Sequence, residues 1–173
     1  MDNSPVSIKK TAINSGLIIG GILLLIVAVM YATGMLIEGV QWPMYLFYVL
    51  FPLLIGYTVF SYRKANGGFL TLGQALKVGV TAAVISALMY AVYNIIFVNF
   101  IDPEFTKDMI EVTKNKMIEQ NPNMTDEQLE STMGFIEKFS NPFLGGAFWI
   151  VMSAFFGFIY SLISGLIFKK ERV

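Results

Sequence analysis

Long apolar runs separated by short charged breaks dominate the chain. A hydrocarbon core of ~30 Å needs roughly 20 apolar residues per helix, and four runs are long enough. The first lies between Lys10 and Glu38, the second between Glu38 and Arg63, and the last between Ser140 and Lys169. The third, 72–101, carries a single charge, Lys77, near its start. Spans are therefore expected at about 12–37, 41–62, 71–101 and 142–168, in one membrane domain covering 1–173. The first run is far longer than the ~7–15 apolar residues of a signal peptide, and no small-x-small cleavage site follows it, so it is expected to be retained. Pro43 and Pro52 fall in the second span, where Pro52 should open the hydrogen-bond ladder and bend the helix near Gly56.

Between the third and fourth runs the pattern turns polar. Asp102 is placed to cap a helix that has Pro103 as its first residue, and Phe105, Met109, Val112 and Met117 then recur near helical spacing up to about Glu119. Asn121-Pro122-Asn123 breaks the pattern, after which Thr125 and Gln128 form a capping box. Leu129, Met133, Ile136 and Phe139 line one face of the helix that follows. The whole reads as an all-α polytopic membrane protein with four transmembrane helices and an extracytoplasmic helical hairpin, 102–141, between spans three and four.

Charge supplies the orientation. The chain has twelve basic and twelve acidic residues and no net charge. Lys9, Lys10, Arg63, Lys64, Lys77, Lys169, Lys170 and Arg172 fall on one side of the four-span arrangement, whereas Glu38 and the segment 102–141, with nine acids against four lysines, fall on the other. Basic residues near span ends are retained in the cytoplasm, so both termini are expected there.

Composition then narrows the chemistry. Apolar residues make up 55% of the chain, and mean hydropathy is +0.65, as suits a chain folding in lipid. Cysteine and histidine are both absent. That removes disulfides, thiolates, the usual zinc ligands and the common pairings of nucleophile and base, so no enzyme activity, cofactor or metal is expected. Met109, Met117, Met124 and Met133 are the residue type that binds Cu(I), but their spacing suits packing faces instead.

Small residues are arranged for close helix contact. Gly16 and Gly20 form a GxxxG pair, Gly79, Ala83, Ala87 and Ala91 a four-spaced row, and Ser153, Gly157, Ser161 and Gly165 another. The rows are read as the seams of the bundle itself, with an interface between copies as the alternative. Lys77 shares a helix face with Gln74 and Thr81 opposite the Gly79 row, and further out that face continues as Ile85, Leu88 and Val92. Lys77 is therefore expected to be an interfacial anchor that snorkels to the headgroups, with a lysine on an ion path as the alternative. Tyr90 and Asn94 lie on the small-residue side with Ser86 nearby, and the three are expected to make polar contacts inside the bundle by hydrogen bonds to neighbouring helices, with contact to a polar ligand as the alternative.

The stretch Tyr62-Arg63-Lys64-Ala65-Asn66-Gly67-Gly68-Phe69-Leu70-Thr71-Leu72-Gly73-Gln74-Ala75-Leu76-Lys77-Val78-Gly79 resembles the signature of domain-of-unknown-function family 4199, small bacterial membrane proteins. Tyr93-Asn94-Ile95-Ile96-Phe97, then Phe100-Ile101-Asp102-Pro103, and the ending Gly165-Leu166-Ile167-Phe168-Lys169-Lys170 extend the likeness over nearly the whole chain. The resemblance implies a bacterial inner membrane and a four-span arrangement, and it supplies no activity. Locally, Asn66-Gly67-Gly68 reads as a turn, Thr71 with Gln74 as the cap of span three, and Arg63 and Lys64 as basic groups beside a glycine pair that suit an anionic lipid headgroup.

The expected function is that of an accessory or assembly subunit acting through protein or lipid contacts. Its partners are membrane lipid and either another membrane protein or further copies of itself; nothing in the chain suits nucleic acid. The alternative is a subunit of a small oligomeric transporter or channel, its pore lined by Ser86, Tyr90 and Asn94 or by the serines of span four.

Overall fold

The computed structural model describes residues 7–171. Arg172, one of the basic residues counted above, lies outside the described residues. The described chain is helical: α1 (Ile8–Ala32), α2 (Met35–Glu38), α3 (Trp42–Ala65), α4 (Leu72–Ile96), α5 (Phe105–Gln120), α6 (Asp126–Ser140) and α7 (Pro142–Phe168). A single π turn, Phe97–Ile101, extends α4. Four helices, α1, α3, α4 with its π extension, and α7, are long and apolar enough to cross a membrane.

Local chemistry explains the ends. Ser7 caps α1 by accepting a hydrogen bond from the Lys10 N–H at 3.3 Å. The helix stops five residues short of the expected 37, because Gly34 takes a left-handed conformation, φ 75°, and turns the chain into the separate α2. In α3, Pro43 occupies the first turn, where its missing N–H costs nothing, and the helix remains one element across Pro52. Thr71–Gln74 and Thr125–Gln128 both form the reciprocal capping boxes read from the sequence. Helix α5 begins at Phe105, later than expected. Asp102 precedes a proline and takes a non-helical conformation, φ −144° and ψ 83°, so Pro103 falls in a turn and Asp102 caps from outside by accepting the Phe105 N–H at 3.1 Å.

Helix α4 is the hub, flanked by α1 and α7, with α3 touching all three. The contacts are made where side chains are smallest. Gly157 of α7 faces Ala83 and Val80 of α4, Gly165 faces Ala75 and Leu72, and Gly146 faces Ala91, so α4 and α7 run antiparallel along their two small-residue rows. Gly16 and Gly20 of α1 face Ile85 and Met89 of α4 in parallel register. The three predicted seams are thus consumed within one chain. Lipid offers no hydrophobic drive for helix association, and close backbone approach gives dispersion attraction its greatest return. Larger residues fill the space around the hub in two clusters, one including Ile19, Leu23, Phe47, Phe51 and Ile55, the other Ala12, Val59, Tyr62, Leu70 and Val78.

The up-down alternation gathers Lys9, Lys10, Arg63, Lys64, Lys169 and Lys170 at one end of the bundle and Glu38, α5 and α6 at the other. One feature of the basic end was absent from the sequence reading. Leu70 and Lys170 pair as an isolated antiparallel β-bridge, with Leu70 N–H donating at 2.8 Å and Lys170 N–H donating at 3.0 Å. It ties the turn between α3 and α4 to the chain leaving α7.

Candidate functional site

At the acidic end, three elements meet around Asp102. The Tyr31 hydroxyl, at the end of α1, donates to one oxygen of Asp102 at 2.9 Å while the other oxygen caps α5. Above this bond the rings of Tyr31, Phe97 and Phe105 pack edge to face, with centroids 4.8 Å apart for Tyr31–Phe97 and 5.2 Å for Phe97–Phe105. A second attachment lies at the far end of α5, where the Lys116 ammonium donates to the Glu38 carbonyl beside Gly39. Helix α6 packs on α5 and α7, burying Met133 and setting Phe139 against Phe148 with centroids 5.2 Å apart. The α5–α6 pair is therefore held to the bundle by specific polar and aromatic contacts.

Its outer surface is left negative. From Glu104 to Glu137 every acid is exposed. Among the described residues only Glu104 of this segment forms an ion pair, with Lys107 at 3.8 Å, and exposed pairs of that kind contribute ~0–1 kcal/mol. Among the described residues no three acids come together in a way that could hold a metal ion.

Ser86, Tyr90 and Asn94 do not act together. Ser86 is buried and donates to the Ala83 carbonyl of its own helix at 2.8 Å, where Gly20 of α1 covers it. Tyr90 and Asn94 instead face a cavity of about 340 Å³ bounded by α4, α6 and the start of α7. Among the described residues none of the three hydrogen-bonds to a neighbouring helix. A serine in a low-dielectric interior satisfies its hydroxyl most cheaply on the carbonyl one turn back, and Thr58 and Ser161 do the same, donating to Leu54 at 2.8 Å and Gly157 at 2.5 Å.

At the basic end, Arg63 is engaged. Its Nε donates to the Gly68 carbonyl at 3.0 Å, and Gly68 N–H returns to the Arg63 carbonyl at 2.9 Å, closing a Schellman turn with Gly67 and Gly68 at φ 70° and 84°. The Asn66 side-chain amide donates to the Phe69 carbonyl at 2.9 Å, and the Lys170 ammonium sits 5.8 Å above the Phe69 ring. Lys64 and Lys77 are exposed. The turn is thus a built structure in which Arg63 is a fastening, while Lys64 and Lys77 form no ion pair among the described residues.

Sequence reasoning missed Tyr31, Lys116 and Trp149. Tyr31 and Lys116 had a visible signal, a polar tip on an otherwise apolar run and a lysine at one edge of an amphipathic helix. Their partners, Asp102 and the Glu38 carbonyl, are far away in sequence and emerge only from the packing.

Comparison with known proteins adds one match. The family model described as "Protein of unknown function (DUF4199)" matches residues 14–170, a range that includes part or all of every long helix. No curated protein and no solved structure matches the chain.

Proposed function

Since the chain belongs to the DUF4199 family of proteins of unknown function, a membership that brings no activity with it, we propose from the geometry that it acts by contact. It is a non-enzymatic, multi-pass accessory or assembly subunit of the bacterial inner membrane, with both termini cytoplasmic and the α5–α6 pair outside. The orientation rests on the gathering of basic residues at one end of the bundle, the end that is retained in the cytoplasm. A cysteine at Asn123, in the exposed turn between α5 and α6, should react with an impermeant maleimide on intact cells. Reaction only after lysis would reverse the orientation.

The observation that carries the function is the α5–α6 pair, fastened through Asp102 and Lys116 yet bearing almost unneutralised acids on its outer surface. A surface held in place and left charged suits recognition of a membrane protein with a basic extracytoplasmic face, through steering and register more than raw affinity. Native mass spectrometry of the protein released from its own membrane in mild detergent should give a defined heteromeric mass. That mass should disappear when Glu104 to Lys138 is replaced by a short flexible linker. Retention of every partner by that variant sinks the reading, and a homo-oligomer without partners transfers support to transport. The transport alternative draws little from the packing, since Ser86 is sealed between α1 and α4, away from the cavity that Tyr90 and Asn94 face.

A further inference from the structure

We propose that the cavity at Tyr90 and Asn94 and the aromatic groove beside it form one binding site for a neutral lipid, with an uncharged hydroxyl-bearing head at Asn94 and one hydrocarbon chain in the groove. The groove, about 460 Å³, runs between α3 and α7 and is walled by Phe47, Phe51, Met152, Phe156 and Tyr160. Phe148 and Trp149 line both the groove and the 340 Å³ cavity, so the two compartments are neighbours. Each volume lies within the ~300–1,000 Å³ of small-molecule sites.

The head is assigned by unused polar groups and by the absence of charge. Among the described residues, neither the Tyr90 hydroxyl nor the Asn94 amide has a hydrogen-bond partner, and no buried side-chain polar atom lacks one. Both groups must therefore open onto space, and the space they share is this cavity. An amide that donates and accepts, beside a phenol that does the same, matches the hydroxyls of a glycerol or similar alcohol. Among the described residues no charged side chain lines either compartment, so a phosphate or carboxylate would enter without a counter-ion. Phe135 and Phe139 of α6 roof the cavity, and Gly145 and Gly146 widen its floor.

The chain is assigned by direction and length. Phe148 to Tyr160 spans ~18 Å of helix at ~1.5 Å per residue. That is slightly more than half of a ~30 Å hydrocarbon core, so the groove takes a single chain lying along the membrane normal in one leaflet. Tyr48 and Phe148 on its rim are each 51% exposed, leaving a lateral entrance from the lipid. The Tyr90 ring packs on Trp149 with centroids 5.5 Å apart, so a residue of the cavity touches one that lines both compartments.

The test uses the full-length protein in nanodiscs of phosphatidylethanolamine and phosphatidylglycerol, with a monoacylglycerol that carries a diazirine in its chain. After irradiation, crosslinks mapped by mass spectrometry should concentrate on Met152, Phe156 and their neighbours. Unlabelled monoacylglycerol should compete, and lysophosphatidylglycerol of the same chain length should not. Tyr90→Phe, which keeps the ring and its packing on Trp149, and Asn94→Leu should each weaken capture about tenfold, the loss expected for one hydrogen bond. Met152→Trp, which fills the groove and spares both polar groups, should abolish it. Crosslinks spread evenly over outward residues such as Leu53, Val151 and Leu166, or equal competition by the lysophospholipid, would show annular lipid only and overturn the proposal.

Discussion

Gly79→Leu will prevent the bundle from closing. A Cβ at this position already collides with the Ser161 hydroxyl and lies 2.9 Å from the Ser161 Cβ and 3.3 Å from Ile55, all buried groups on two different helices. Overpacking of this kind costs upwards of ~3 kcal/mol where neither neighbour can retreat, because relief requires α4 and α7 to separate along the seam that holds most of the fold together. The check is the monodisperse size-exclusion peak of the protein in mild detergent, which should be lost for Gly79→Leu and weakened for Gly79→Ala. Ser161→Gly combined with Gly79→Ala should recover most of the difference, since the two changes share one volume. A Gly79→Leu protein as stable as the parent would show that α4 and α7 do not approach as described.

Leu70→Asp should be nearly as damaging at the opposite kind of site. Leu70 sits in a turn, where an exposed residue is the usual expectation, yet it is 0% exposed and packs with Ala12, Val59, Tyr62, Ala75 and Val78. An unpaired carboxylate there costs roughly 4 kcal/mol or more, or else expels the turn from its pocket. The backbone bridge to Lys170 would go with it. Hydrogen exchange at the amides of Leu70 and Lys170 should accelerate together in the variant, because each amide bonds to the other residue. Acceleration at one amide alone would mean the bridge does not tie the two segments.

Much of the scaffold is legible in the amino-acid sequence, because lipid punishes charge and unpaired backbone so heavily that span positions are written in composition. The capping boxes at Thr71 and Thr125 were legible for a different reason: each is a local bargain among four residues. Where the reading slipped, the deciding contact was distant or conformational. The extent of α1 turned on Gly34 adopting φ 75°, and the late start of α5 on Asp102 serving Tyr31 and Phe105 at once. The Ser86–Tyr90–Asn94 stripe divides between two environments, Ser86 against α1 and Tyr90 with Asn94 at a cavity. Periodicity assigns residues to a face, and which neighbour that face meets changes along the helix, from α1 at Ser86 to α6 and α7 at Asn94.

The hub position of α4 also has a consequence for the order of assembly. Helices enter the membrane as they are synthesised, from the N-terminal side onward. When α4 arrives, α1 and α3 are already there to receive it, whereas α7 and Lys170, the bridge partner of Leu70, follow only after α5 and α6 have been made. Throughout that interval the Gly79–Ala83–Ala87 row meets α3 on one side but lacks its match on α7, leaving a narrow track open to any passing helix that carries small residues. The nascent protein is then most open to mispairing, or to an escort, and synthesis of the final helix closes that window.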